Sequence, residues 1–396
     1  MNILVIGNGF DLAHGLPTKY GDFLEFVKVI RQVVKIENRV SLEDVEWGDI
    51  NDKIKEQIID SEMNGKLNSV FGSNQCKELL NNNIWIDYFL QCNMYRKENW
   101  IDFESEISNV IQSIDRDMYG LSNDRKLEYV FESLSNSFFN SKYSDSQMSY
   151  KRLIDVMYND LNKLIRALEL YLCVFVANIV DKRISPDIEQ IYFDKILSFN
   201  YTDTYSKVYD SKGLSEYDYI HGKTDISHSL FTNNMVLGID EYLPKERKNQ
   251  DVEFIAFKKY YQRIYKETGC KYKKWVDDIR SNKPIRNLVF ARIDEAGSRT
   301  FKSENSRFHN LYIFGHSLDV TDKDILQELI LNGNVYTTIY YHKTYDDNGE
   351  DDNGRIDLGS KIANLVKVIG QDELIRRTGG STKTIEFKLQ QDMVEI

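Results

Sequence analysis

The chain has 396 residues, and its 51 lysines and arginines against 62 aspartates and glutamates leave a formal charge of −11. At 41% hydrophobic residues it can bury a substantial core, over roughly two or three domains of about 100–200 residues. The acidic balance argues against general nucleic-acid binding, which needs a basic surface, but leaves room for a small anion at one local site.

Asn2-Ile-Leu-Val-Ile-Gly7 opens the chain as a short β-branched apolar run, the pattern of a buried parallel strand. A glycine-rich turn follows, and Thr18 suits the N-cap of a helix with Phe23, Phe26, Val27 and Ile30 at helical spacing. From about Phe23 to Lys182 no strand pattern is found, and with only four prolines in the chain this stretch can hold long helices. The clearest is Ser149–Lys182, where Ile154, Met157, Leu161, Leu164, Ile165 and Leu168 form one apolar stripe. Weaker helical patterns cover Leu42–Ile59, Cys76–Met94, Phe103–Ile114 and Lys126–Phe139. Such a block is far longer than an ordinary connection. Strand-like runs return at Lys195–Asn200, Asp218–His221, Asn234–Gly238, Asn310–Gly315 and Val335–Tyr341, with helical sequence between them. Lys383–Lys388 suits an edge strand, while Asp346–Gly354 and Gly379–Thr382 read as a loop and a turn. Short apolar strands alternating with helices predict an α/β fold with a mainly parallel, Rossmann-like sheet. The predicted organisation is one α/β domain built from residues 1–22 and 190–396, interrupted after its first strand by a helical insertion at 23–189.

In such sheets ligands lie beyond the C-terminal ends of the strands, so the polar residues there carry the functional question. The turn Gly7-Asn8-Gly9-Phe10-Asp11, running on to Gly15, stands between strand and helix, where glycines let backbone N–H groups approach a phosphate. A tight turn with no ligand is the plainer account. The dehydrogenase fingerprint would need a glycine at position 12, and Leu12 stands there, so hydride transfer is not supported. Asn200, in Ser198-Phe-Asn-Tyr-Thr-Asp203, suits a water or a ribose hydroxyl, or merely an Asx turn. His221 has the chemistry of a base near neutral pH, and equally of a structural hydrogen-bonding group; Gly222 would leave open space beside its ring. Gly315-His-Ser317-Leu-Asp319 ends another strand, where Ser317, Asp319 and Thr321 offer helix caps, or ribose contacts at a second nucleotide-binding edge. Trp100-Ile-Asp-Phe-Glu104 reads as a helix start, with Trp100 and Phe103 in the core and Asp102 and Glu104 near the helix N-terminus; a role in a site is the alternative.

The four cysteines, Cys76, Cys92, Cys173 and Cys270, stand far apart, without a C-x-x-C pair, which excludes a zinc ribbon. Scattered thiols in so long a chain fit a reducing cytoplasm rather than a disulfide framework. No signal-peptide pattern opens the chain. The nearest approach to a membrane span, Ala167–Val180, is short and interrupted by Glu169, so no membrane partner is expected. No G-x-S-x-G elbow, H-E-x-x-H pair or EF-hand spacing occurs, and no metal site is expected.

Taken together and in order, Gly7-x-Gly9 with Gly15-Leu-Pro17, then Phe199-Asn200-Tyr201, Ile220-His221-Gly222 and Gly315-x-Ser317-Leu-x-Val320 resemble the sirtuin-like nucleotide-binding domain. A closer resemblance, over nearly the full chain, is to the bacteriophage abortive-infection AbiH family. Its carrying residues are Ile3 to Thr18, Trp100 to Glu104, Leu197 to Thr202, Tyr219 to Gly222, Phe257 to Ile264 and Phe314 to Asp319. The chain departs from sirtuins in lacking the four-cysteine zinc module, which argues against protein deacetylation and makes zinc an unexpected cofactor. It also carries Asp11 where sirtuins have serine, and Asp203 falls one place late.

The resemblance implies a cytoplasmic antiphage effector that binds NAD, as substrate or ligand, and cleaves its nicotinamide glycosidic bond. Asn200 and His221 would be the catalytic pair, with Gly7, Asn8, Gly9, Phe10, Asp11, Gly15, Asp203, Gly315, Ser317 and Asp319 around the nucleotide. A phage-derived trigger and self-association are compatible with this reading. The alternatives are a non-catalytic nucleotide sensor and a nuclease holding Mg²⁺ on carboxylates such as Asp102, Glu104 and Asp203.

Overall fold

The computed structural model describes residues 1–35, 42–65, 67, 70, 78–91, 102–121, 126–179, 182–281, 289–293, 299–303, 309–345 and 352–395. The described chain divides into two compact units. One comprises Met1–His14, Lys182–Ile220 and Gly269–Ile396; the other comprises Gly15–Asp181 and His221–Thr268.

The first unit is α/β. Its main sheet has six strands: β1 (Asn2–Ile6), β2 (Lys195–Ser198), β3 (Glu216–Tyr219), β4 (His309–Phe314), β5 (Val335–Tyr341) and β6 (Ile385–Leu389). All neighbours run parallel, and their order is β3-β2-β1-β4-β5-β6. This is the doubly wound Rossmann order, in which the direction of winding reverses between β1 and β4. Ile3 pairs with Lys195 on one side of β1 and with Leu311 on the other. Alternation along β1 explains its unbroken apolar sequence: Ile3 and Val5 join the core on one face, Leu4 and Ile6 the core on the other. The first core is covered by helices Tyr272–Ser281, Lys323–Ile330, Arg355–Ile369 and Gln371–Thr378, through Trp275, Leu326, Leu365 and Leu374. The second is covered by Asn8–Ala13, Pro186–Glu189 and Thr204–Val208, through Phe10, Ile188 and Tyr205.

The expected edge strand near Lys383–Lys388 is present as β6. Asn234–Gly238, expected as a strand, is not one. Its amides turn to other partners: Met235 N–H donates to Asn233 Oδ1, Val236 N–H to the His221 carbonyl and Leu237 N–H to Gln262 Oε1. An antiparallel pair at Val289–Ile293 and Arg299–Ser303 was not anticipated.

The second unit is helical among its described residues. It includes Tyr20–Lys35, Asp52–Met63, Ile84–Gln91, Phe103–Met118, Ser137–Tyr143, Tyr150–Val174 and Lys259–Tyr265. The first of these starts at Tyr20, two residues after Thr18, and Asp22 Oδ2 accepts the Lys19 amide. Stacked rings fill the centre: Phe103 lies 4.1 Å from Phe89 and 4.2 Å from Tyr20, centroid to centroid. The segment His221–Thr268 is tied into this unit by ion pairs, Lys259 to Glu104 at 2.6 Å and Arg247 to Asp115 at 2.8 Å. No helix among the described residues is long and apolar enough to cross a membrane.

At the C-terminal ends of β1 and β4 the backbones meet. Gly9 N–H donates to the Gly315 carbonyl at 2.8 Å, and a Cβ on Gly315 would stand 2.1 Å from the Phe10 nitrogen. Gly315 also has φ +66°, which favours glycine. Gly359, by contrast, has nothing within 4 Å of its would-be Cβ and lies inside a helix. Gly315→Ala is expected to lower unfolding free energy by about 2–4 kcal/mol in urea titration, while Gly359→Ala raises it by up to about 1 kcal/mol.

Candidate functional site

The polar residues at the ends of β1 and β2 form one cluster in the first unit. Asp11 lies in the short helix Asn8–Ala13 and is buried. Thr202 Oγ1 donates to its Oδ2 at 2.6 Å, and Thr204 Oγ1 lies 3.1 Å from Thr202 Oγ1. Asn200 is buried too, and the Ser198 hydroxyl fixes its backbone: Oγ accepts from the Asn200 amide and donates to the Asn200 carbonyl, both at 3.1 Å. Asp11 Oδ1 and Asn200 Nδ2 are both buried without a partner of ordinary hydrogen-bond geometry among the described residues. The Asn200 carboxamide still acts on the Asp11 carboxyl as a weak donor.

Burial pushes the Asp11 carboxyl up to about 6, against the lowering influence of Thr202, Thr204 and Asn200; nearby Asp203 adds to the rise. Asp203 itself pairs with Lys207 at 2.9 Å. Tyr219, at the end of β3, is half-buried, and burial together with Asp203 and Asp11 holds its phenol well above the usual range. An acceptor oxygen and a donor nitrogen, both unspent, suit a hydroxyl, which can donate to one and accept from the other.

The neighbouring turns are accounted for by packing. Gly7 N–H donates to the Phe314 carbonyl at 3.3 Å and Gly9 N–H to the Gly315 carbonyl, so these amides are engaged and do not cradle a pyrophosphate. A Cβ on Gly7 would lie 2.8 Å from His316 Cα. The glycines therefore serve a close backbone crossing. Phe10 is core, its ring 4.4 Å from His14 and 5.8 Å from Phe314. Asn8 is half-buried at the start of the same helix. Asp319 caps the turn Val320–Asp322 by accepting the Thr321 amide at 3.0 Å, and Ser317 Oγ accepts the Asp319 amide at 3.3 Å. His316 Nδ1 accepts the Leu318 amide at 2.9 Å, and buried Lys361 donates to the His316 carbonyl at 2.9 Å, so the loop after β4 is firmly held.

In the second unit, Gly15 has φ +65° and its carbonyl accepts from Lys53 Nζ at 3.1 Å. His221 is buried, and its carbonyl accepts the Val236 amide at 2.8 Å. The expected space beside Gly222 is filled: a Cβ there would meet the Asn234 carbonyl oxygen at 2.2 Å. Asp102 is a helix cap accepting the Glu104 and Ser105 amides, and Glu104 pairs with Lys259. Trp100 and Ile101 lie outside the described residues, as does Asp346–Asp351. Among the described residues no group of three or more His, Cys, Asp or Glu side chains is placed to hold a metal ion.

A family model described as bacteriophage abortive infection AbiH matches residues 3–342. The chain belongs to the AbiH family. Searches of curated proteins and of solved structures gave no match. Family membership supports a role in abortive infection, and the sheet supplies the frame on which this member carries its polar cluster.

Sequence reading missed a second buried acid. Glu169, in the helix Tyr150–Val174, accepts the Asp225 amide at 3.0 Å and His228 Nδ1 at 2.6 Å on Oε1, and Arg166 and Asn233 on Oε2. Its signal was a glutamate on an apolar face. Glu169→Ala leaves Arg166 without its buried carboxylate and the Asp225 amide, His228 and Asn233 without their acceptor, and should cost about 3–5 kcal/mol, read as a lower unfolding midpoint.

Asp11 has the opposite sign. Its folded-state pKa is raised from 3.8 to about 6, so the fold prefers the protonated acid. The stability this gives is complete below 3.8 and lost as pH climbs to about 6, by roughly 3 kcal/mol at about 1.4 kcal/mol per unit. Asp11→Asn, the neutral isostere, should therefore raise the melting temperature at pH 7.5 and remove part of the stability loss seen in wild type between about pH 4 and 6.

Proposed function

We propose that this protein binds NAD through its ribose hydroxyls at the Asp11–Asn200 cluster and hydrolyses the nicotinamide glycosidic bond during phage infection. The observation that carries this reading is the pair of buried polar atoms, Asp11 Oδ1 and Asn200 Nδ2, beyond the C-terminal ends of β1 and β2, neither with a partner of ordinary hydrogen-bond geometry among the described residues. β1 borders the reversal in sheet order between β1 and β4, where doubly wound folds bind nucleotides, and β2 is the strand on its other side. Folded proteins rarely leave buried polar groups unspent. A donor and an acceptor together match a sugar hydroxyl better than a phosphate, which accepts only.

In the reaction, the bond between C1′ of the ribose and the pyridinium nitrogen breaks, and the nitrogen keeps the electron pair and becomes neutral. A water oxygen bonds to C1′ and gives up a proton, leaving ADP-ribose, nicotinamide and H⁺. Asn200 would orient the ribose, and a general base taking the proton of the attacking water would be worth about 10²–10⁴-fold. The pyrophosphate is not assigned to the Gly7 and Gly9 amides, which are already bonded.

The test is nicotinamide release from NAD by purified protein, with and without phage lysate, in parallel with thermal stabilisation by NAD. Wild type is expected to bind and release, and Asn200→Ala to lose both. Binding without release in any condition would favour a nucleotide sensor. No binding at all would overturn the reading.

A further inference from the structure

Ile6, Ser198 and Tyr219 stand in one row across the sheet, Ile6 paired with Ser198 and Ser198 with Tyr219. Paired side chains of a parallel sheet share a face, with the strands about 4.8 Å apart. Ile6 and Tyr217 pack with Phe10 on the face covered by the helix Asn8–Ala13, the helix that carries Asp11. Tyr219, two residues beyond Tyr217, therefore emerges on the same side as Asp11. It stands one strand over from the Ser198 hydroxyl that holds the Asn200 backbone. The influence of Asp203 and Asp11 on its phenol agrees with this placement.

The ring is held as a platform. It lies 6.0 Å from the Tyr217 ring, centroid to centroid, and only 11° from parallel to it. Tyr217 is itself fixed: its hydroxyl donates to Asp210 Oδ2 at 2.7 Å, and Asp210 also accepts the Leu214 and Ser215 amides. β3 is the edge of the sheet, and Tyr219 is only half-buried at its end. Aromatic faces of this kind stack on heteroaromatic bases. In NAD the nicotinamide ring is one bond from its ribose, so a ribose held at Asp11 and Asn200 carries that ring to the neighbouring strand end.

We propose that Tyr219 is the platform for the nicotinamide ring and a specificity-determining residue, by which the protein takes oxidised NAD in preference to NADH. This rests on the reading that the ribose is held at Asp11 and Asn200. The oxidised ring is a pyridinium cation, and a cation over a tyrosine face is drawn by the negative charge of the π-cloud. The dihydronicotinamide of NADH is neutral and lacks that attraction, while its ribose, pyrophosphate and adenine are the same. The attraction is also lost when the glycosidic bond breaks and the ring becomes neutral, so released nicotinamide is held less tightly than the ring of the substrate.

The experiment is calorimetric titration of the full chain with NADH and with carba-NAD, which keeps the pyridinium charge and resists glycosidic cleavage. It compares wild type with Tyr219→Phe, Tyr219→Leu and Tyr219→Met. Wild type is expected to favour carba-NAD by about tenfold in Kd. The net charge of −11 also disfavours the more negative NADH, so the variants decide. Tyr219→Phe keeps the aromatic face and should keep the preference. Tyr219→Leu and Tyr219→Met keep apolar bulk without that face, and should bring the two Kd values to within about threefold of each other, by weakening carba-NAD rather than NADH. A wild type that binds both alike, a preference already lost in Tyr219→Phe, or one that survives in Tyr219→Leu and Tyr219→Met overturns the inference and leaves nucleotide binding intact. Failure of wild type to bind either ligand overturns the parent reading and this inference with it.

Discussion

Where β4 leaves the sheet at Phe314, the next carbonyl accepts the Gly9 amide, and the Gly315 backbone lies against Gly9 and Phe10 with no room for a side chain on either surface. This crossing closes the gap that a doubly wound sheet opens where its order reverses. It also fixes the chain on either side of the contact. Phe10 is carried into the aromatic core with Phe314 and His14, and Asp11, one residue on, is pressed against Thr202. The loop after β4 is locked by His316 and Lys361. A glycine pair read as room for a phosphate is, in this chain, room for another backbone. The consequence for function is a shift of the candidate site away from the crossing itself, toward the ends of β1 and β2.

The parallel sheet was legible because its strands are buried on both faces, and such strands write themselves as unbroken apolar runs ending in Gly, Asn or His. β1, β2, β4 and β5 all show this. Asn234–Gly238 shows the same composition without being a strand, because composition reports burial, and its amides are taken by side chains and a loop carbonyl instead of a neighbouring strand. That His221–Thr268 belongs with the helices was hidden for a related reason. The segment is held by separated charges, Lys259 with Glu104 and Arg247 with Asp115, and no local pattern announces a partner over a hundred positions away.

The site residues were legible as positions rather than as roles. Asn200, Gly315 and Ser317 follow strand ends as their flanking sequence implies, and Asp11 lies in the short helix after β1. Ser317 and Asp319 follow the capping account, which local spacing can encode, since a cap is a contact across two or three residues. Asp102 behaves likewise. The Asp11–Thr202 contact spans 191 positions, and nothing local distinguishes a buried aspartate from an exposed one in a short helix.

The two buried acids show how such a residue divides between structure and chemistry. Glu169 has both oxygens engaged, by Asp225, His228, Arg166 and Asn233, so its charge is matched where it sits and its loss leaves cations and donors stranded. Among the described residues Asp11 has one hydroxyl partner of good geometry, no ion pair, and an oxygen left over; its charge is tolerated rather than matched. A carboxylate that destabilises its own fold near neutral pH is poorly explained by folding, because an asparagine would fill the same space and keep the Thr202 contact. Burial of an acid that ionises only at a cost sets Asp11 apart from the glycines before it, whose amides and Cα atoms are taken up by the backbone crossing.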